Sequence, residues 1–276
     1  MKVNLKLLKD LYLINHPSGS ENSMISFILN YCYKIPKLSF ELDHYNNLFI
    51  TKNTTNPEHY VCIVAHLDSV HNIIAHRNIN IRNGVISASL SESNIKCGLN
   101  ADDCNGILVA LQLLEKIPNL KVCFTTEEEV GGVGASETKY NKKFFEDVNY
   151  LIQADRKGSS DLIYFTNGLI TASSEFIVDI SDLMDKYHYN LVEGVFTDIG
   201  IISDQFNISG VNVSCGYYNE HTRDEICVIS ELENCLNFIY EIITTVPDKK
   251  YSLDNPRYPC EKCSEFNCFN CSYYTF

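Results

Sequence analysis

A chain of 276 residues can bury a full core in one large domain or two small ones, and its composition is that of an ordinary soluble globular protein. The formal net charge of -13 argues against nucleic acid or an anionic membrane surface as the main partner. No apolar run reaches the roughly eighteen residues of a membrane span. The first fourteen residues read as an amphipathic helix broken by Lys6, Lys9 and Asp10, rather than as a signal peptide. With 12 cysteines and no secretion signal, the expected setting is the reducing cytoplasm, with thiols buried or bound to metal.

After the first helix, His16-Pro17-Ser18-Gly19-Ser20-Glu21 forms a break, and Ser20 is placed to cap a second helix running to about Tyr33. Short β-like pieces follow at Leu38 to Leu42 and Asn47 to Thr51. Tyr60 to Ala65 is a continuous apolar run, the pattern of a strand buried on both faces, and it ends in His66-Leu67-Asp68. Asn78 to Ser89 reads as a hairpin turning at Asn83-Gly84. Gly98 to Asp103 then leads into a buried helix over Asn105 to Lys116. Apolar strands recur at Lys121 to Thr125, at Tyr150 to Ala154 before Asp155, at Leu162 to Phe165, and at Val211 to Cys215. Phe176 to His188 reads as a helix, and Ser230-x-x-Glu233 as a capping box opening another to about Thr245. Strands alternating with helices predict an α/β fold: a three-layer sandwich with a mixed, mostly parallel central sheet and helices on both faces.

The stretch Thr126-Glu127-Glu128-Glu129-Val130-Gly131-Gly132 delivers three adjacent carboxylates from a strand end into a glycine turn. Such a run is read either as a solvated acidic loop or as the rim of a cation site. His66, Asp68, Asp102, Glu128, Glu129, Asp155 and His221 fall mostly at strand ends or at the start of the next helix. In a parallel sheet those ends converge on one edge, where ligands bind. Singly, each has a plainer reading: a structural strand-end histidine, helix caps at Asp102 and Asp155, an exposed loop histidine at 221. Together they hold enough nitrogen and oxygen ligands for two divalent metal ions with one shared bridge, suiting zinc and also cobalt or manganese.

Ala65-His66-Leu67-Asp68, Ala101-Asp102-Asp103-x-x-Gly106, Glu128-Glu129-Val130-Gly131, Asp155 and His221 followed by Glu225, in that order, resemble the co-catalytic zinc exopeptidase superfamily. That group contains di-zinc aminopeptidases, tripeptidases, glutamate-releasing carboxypeptidases and acyl-amino-acid deacylases. Pro17 to Glu21 and Asn47-Leu48 are similar to its N-terminal pattern, so the similarity covers about residues 5 to 245. The resemblance implies that His66 and Asp155 hold one metal and Glu129 and His221 the other. Asp102 bridges them, Asp68 orients His66, and Glu128 is the general base. Glu127 receives no role. Only 36 residues separate His66 from Asp102 and 66 separate Asp155 from His221, which leaves no room for a lid domain. The layout is therefore closest to the compact single-domain aminopeptidases, with a catalytic domain over residues 1–250. Without a lid, Tyr217, Tyr218 or Arg223 is left to stabilise an oxyanion. Cys104 stands where relatives commonly carry lysine or arginine.

The resemblance predicts a metal-dependent hydrolase of short peptides, most simply an aminopeptidase. A deacylase or carboxypeptidase of the same superfamily, acting on an acyl-amino acid, is the alternative within the class. A catalytically silent assembly protein is the alternative outside it. Self-assembly into a homo-oligomer would shield a lidless site. In residues 251–276, Cys260-x-x-Cys263 and Cys268-x-x-Cys271 form a four-thiolate set whose spacing suits a structural zinc knuckle, with disulfides, unligated thiols or an iron–sulfur cluster as the other readings. So short a tail has no apolar core of its own, and metal would have to fold it.

Overall fold

The structure is a computed structural model that describes residues 1–254. It opens with α1 (Leu5–Tyr12) and α2 (Asn22–Cys32), then β1 (Leu38–Leu42), β2 (Leu48–Asn53) and β3 (Tyr60–His66). A small antiparallel group follows: β4 (Arg77–Arg82), β5 (Val85–Leu90) and β6 (Lys96–Cys97). Helix α3 (Ala101–Lys116) leads to β7 (Asn119–Thr125), α4 (Val133–Glu137), α5 (Lys142–Phe145), β8 (Val148–Arg156), β9 (Asp161–Thr166) and β10 (Leu169–Ile170). The remainder is α6 (Ser174–Tyr187), β11 (Asn190–Gly194), α7 (Asp198–Phe206), β12 (Gly210–Ser214), β13 (Tyr217–Tyr218), β14 (Ile226–Val228) and α8 (Ile229–Thr245).

The main sheet runs β1-β2-β7-β3-β8-β12-β9-β10, with β11 beside β9. Its centre, β7-β3-β8-β12, is parallel, and β1, β2 and β9 pair antiparallel with their neighbours along that order. The apolar runs sit in this centre because helices cover both faces. Ile63 and Ala65 of β3 join a core with α1, α2, α3, α6 and α8. Cys62 and Val64 point the other way, to Ala135, Phe145, Ile199 and Ile202 of α4, α5 and α7. Alternation along one strand thus feeds two separate cores, the three-layer arrangement that the pattern implied.

Helix α3 is buried along its length, from Ala101 to Leu114. It joins the sheet rim to a second sheet, ordered β13-β14-β5-β4 with β6 on β5. The predicted hairpin is β4–β5 of that sheet, with Ile79 opposite Ala88. Strand β14 pairs with β5 through Ile226 and Ser87, which carries the segment after His221 onto the segment between His66 and Asp102. At the C-terminal end, Tyr251 and Leu253 are buried against the domain.

Two predicted caps are not formed. Glu21, not Ser20, precedes α2, and its carboxylate accepts from the Gly19 N–H at 2.8 Å. Val228 precedes α8, and the Glu233 carboxylate turns away to Lys2 and the Val3 N–H. In both cases an acid that could have served its own helix end has another partner. Helix α7 and strand β11 carry no sequence signal strong enough to be read. Leu111 lies in the middle of α3 with no exposed surface, so Leu111→Ala is expected to lower the unfolding free energy by about 2–5 kcal/mol. Val178→Ala, at an exposed position on α6, should stay within about 0.5 kcal/mol. Urea titration of both variants measures the difference.

Candidate metal centre

His66 ends β3, the glutamates follow β7, Asp155 lies near the end of β8, and Asp102 lies in the first turn of α3. The parallel sheet brings these ends together, and His221 arrives from the loop after β13. The His66 Nε2 lies 2.8 Å from Asp102 Oδ1 and 3.7 Å from Asp155 Oδ1. The His221 Nε2 lies 3.0 Å from Glu129 Oε2 and 3.3 Å from Asp102 Oδ2. Asp102 therefore offers one oxygen to each of two imidazole–carboxylate pairs. All five expected metal ligands and Glu128 are brought together, and Asp102, Glu128, Glu129, Asp155 and His221 line one cavity of about 410 Å³.

The donor set fits metal ions. Donor atoms of His66, Asp102 and Glu129 lie within 4.8 Å of one another, as do those of His66, Asp103 and Asp155. Metal–donor distances of about 2.0–2.2 Å are compatible with such spacings. Glu129 Oε1 is buried with no hydrogen-bond partner, the state of an oxygen left for a cation. Asp103 is the weaker ligand of the adjacent pair. Its oxygens accept from the His66 N–H at 3.1 Å and the Gly106 N–H at 3.0 Å, so it holds β3 to α3 instead. Burial and mutual repulsion push Glu128, Asp155 and Asp198 above the usual carboxylate range. Hydrogen bonds to Asp102 and Glu129 raise His221 to about 10. A site that draws protons this strongly is one where cations can take their place.

Several contacts aim these groups. Asp68 Oδ1 is 3.2 Å from His66 Nδ1, which leaves Nε2 facing Asp102. The same carboxylate accepts from the Glu128 N–H at 2.9 Å and the Glu129 N–H at 3.2 Å, and from the Ser18 hydroxyl at 2.6 Å. Burial opposes its charge, but these partners hold Asp68 below the usual carboxylate range. The glutamate turn is fixed from beneath by Asn47, which accepts from the Thr126 N–H and donates to the Gly134 carbonyl, both at 3.0 Å. Glu127 takes the left-handed conformation at φ 53, and its side chain lies near Gly19. Gly132 is also left-handed, and a Cβ there would meet Phe196 at 2.6 Å.

Glu225 has a role that sequence reasoning did not assign. Its buried carboxylate accepts from four consecutive backbone N–H groups, Leu99 and Asn100 at 2.9 Å, Ala101 at 2.8 Å and Asp102 at 3.1 Å. The His71 ring lies 3.2 Å away. This cradle holds left-handed Asn100, at φ 68, and the backbone that presents Asp102. The spacing after His221 was the available signal. Nearby, buried Arg77 donates to the Tyr12 and Leu99 carbonyls. Its charge acts on Cys104 and Cys97, so a cation stands close to Cys104. Of the three candidate oxyanion donors, Tyr217 lines the cavity, with its hydroxyl 3.3 Å from Asp155 Oδ1. Tyr218 turns to Glu231, and Arg223 is not among the lining residues. Cys260, Cys263, Cys268 and Cys271 lie outside the described residues.

Fold and site together define a metal-dependent hydrolase. A model of peptidase family M28 matches residues 47–227, two thirds of the chain, and the protein belongs to that family of metallopeptidases. A comparison with curated protein sequences finds no match. Among solved structures, the aminopeptidase PepT of Bacillus cereus superposes with a TM-score of 0.73 at 13% identity, over 87% of this chain and 96% of that one. A tripeptidase of Staphylococcus aureus gives 0.69 at 15%, over 87% and 96%. The TET1 peptidase of Pyrococcus horikoshii gives 0.64 at 15%, over 87% and 98%. At these identities the likeness establishes the fold.

Replacing Glu225 by Gln turns one acceptor oxygen into a donor that faces backbone N–H groups. The expected result is a loss of about 1–3 kcal/mol in stability and a weakening of metal affinity by about 10–100-fold, read by urea unfolding and chelator competition. His16 supplies a pH signature. Its Nδ1 must donate to the Leu67 carbonyl at 2.7 Å, and burial pushes its pKa down to about 4. The unfolded chain takes up this proton below about pH 6.5 and the folded one only near pH 4. Stability therefore holds above pH 6.5 and falls as the solution is acidified. His16 should account for about 2 kcal/mol of the loss between pH 7 and 5. The pH slope should be shallower in His16→Gln, compared by chemical denaturation.

Proposed function

We propose that the protein is a two-metal aminopeptidase acting on short peptides, with zinc as the native metal. The observation that carries this reading is the position of Asp102, with one oxygen 2.8 Å from His66, whose Nε2 also faces Asp155, and the other 3.3 Å from His221, whose Nε2 also faces Glu129. In this reading His66 and Asp155 hold one ion, Glu129 and His221 the other, and Asp102 both. A pair of bound cations lowers the pKa of a water and polarises a peptide carbonyl. Glu128, in the cavity beside these groups, takes a proton from the attacking water and returns it to the leaving amine. In this reading Asp68 fixes the His66 tautomer and the backbone of both glutamates, and Tyr217, whose hydroxyl lies in the cavity, donates to the developing oxyanion. The acidic lining favours a free α-amino group. The aminopeptidase and tripeptidase descriptions of the Bacillus and Staphylococcus proteins point to the same chemistry.

The catalytic unit in this reading runs from residue 1 through the buried Tyr251 and Leu253 rather than stopping at 250, and the cysteine-bearing remainder up to residue 276 is a knuckle whose four cysteines bind one further zinc. The described cysteines, Cys32 to Cys235, are free and buried, in keeping with a reducing cytoplasmic setting. Among the described residues no helix is long and apolar enough to cross a membrane. Assembly into a homo-oligomer is part of the same proposal, since the Pyrococcus protein of this fold builds a tetrahedron or a large octahedral shell.

Glu128→Gln should lower kcat by about a hundredfold to ten-thousandfold while metal analysis still finds both site ions. Chelation should abolish activity, and zinc should restore it. Removal of residues 257–276 should reduce the metal count by one without removing hydrolysis. Cleavage confined to substrates with blocked amino termini would refute the aminopeptidase reading, and full activity in Glu128→Gln would refute the assigned base.

A further inference from the structure

The cavity that holds the acidic centre also contains two cations, Arg156 and Lys157, the residues directly after Asp155. Neither is required by the metal chemistry, and the ion pairs they make are partly exposed. Arg156 meets Asp161 at 3.1 Å, with both side chains 30% exposed, and Lys157 meets Glu220 at 2.6 Å. Exposed pairs of this kind stabilise a fold little, so stability does not account for them. Their backbone is nevertheless held firmly. The Cys215 N–H donates to the Arg156 carbonyl at 2.9 Å, the Ser214 hydroxyl to the Lys157 carbonyl at 2.7 Å, and the Gly158 N–H to the Tyr217 carbonyl at 2.9 Å. Two basic side chains are thus mounted on a rigid strand end, one and two residues beyond an expected metal ligand. Ile163, Val195 and Phe196 supply apolar walls to the same cavity.

We infer that Arg156 and Lys157 read the free α-carboxylate of the substrate, which makes this a di- and tripeptidase rather than a general aminopeptidase. This rests on the aminopeptidase reading above and narrows it. A carboxylate entering a cavity lined by Asp102, Glu128, Glu129 and Glu220 is repelled unless cations receive it. A guanidinium receives a carboxylate through two parallel hydrogen bonds, and an ammonium adds a point charge. Length agrees as well. Each extended residue adds about 3.3–3.6 Å, so the terminus of a di- or tripeptide lies about 4–8 Å past the scissile carbonyl, within reach of side chains rooted next to Asp155. Asp161 and Glu220 occupy the two cations until substrate arrives.

The test uses the full-length, metal-loaded protein with Ala-Ala and Ala-Ala-Ala against their C-terminal amides. The free acids should exceed the amides in kcat/KM by about tenfold or more, chiefly through KM, and rising salt should shrink that ratio. In the double variant Arg156→Gln, Lys157→Gln the ratio should fall to about one. Asp161→Asn frees the guanidinium and should raise the ratio, which keeps the proposal testable if the double variant does not fold. Equal rates for wild-type acid and amide would overturn it. So would a double variant of normal metal content that keeps the preference. Faster cleavage of amides with an amino-terminal glutamate would assign the cations to a substrate side chain and overturn it too. Hydrolysis of N-acetylated peptides alone would refute the aminopeptidase reading, while the acid-to-amide ratio would still decide the role of Arg156 and Lys157.

Discussion

Carboxylates forced together out of water dominate this molecule. Asp102, Glu128, Glu129 and Asp155 meet at one rim of the sheet, with buried Asp103 and Asp198 close behind. Their mutual repulsion is severe in a medium of low dielectric, and it is relieved only by protons or by metal ions. The fold therefore has to hold like charges at short range against their own field. It does so with rigid parts: four parallel strands at the centre, a helix buried along its length, and side chains that grip backbone rather than other side chains.

Two carboxylates do most of that gripping. Asp68 binds the backbone of Glu128 and Glu129 as well as the His66 ring, so one group sets the aim of three residues. Glu225 does the same for the segment leading into Asp102. Neither needs to touch substrate. Each turns a flexible turn into a fixed one, and fixed donors and acceptors are what make a polar site effective once water is expelled.

The layers and the residues gathered at the sheet rim were legible in the sequence for one reason. Buried parallel strands are written as unbroken apolar runs, and His66, Glu128 and Asp155 stand where such runs stop. What could not be read were contacts whose partner is a backbone N–H far away in the chain. Glu225 serves residues more than 120 positions before it, and Asp103 serves His66 across 37. No pattern of residue types encodes that. The caps misread at Ser20 and Ser230 fail for a related reason, since the acids beside them found other partners. Helix α7 was missed because it has only 9 residues, so Ile199 and Ile202, with the partly buried Ile201 and Phe206 beside them, are too few to mark a period.

The loop that carries His221 ends, four residues later, in the carboxylate that shapes the approach to Asp102. The two halves of the centre are thereby tied to a single late piece of chain. Both the second imidazole and the backbone that presents Asp102 depend on where residues 221–225 sit. A change that displaces this one segment therefore disturbs both histidine–carboxylate pairs at once.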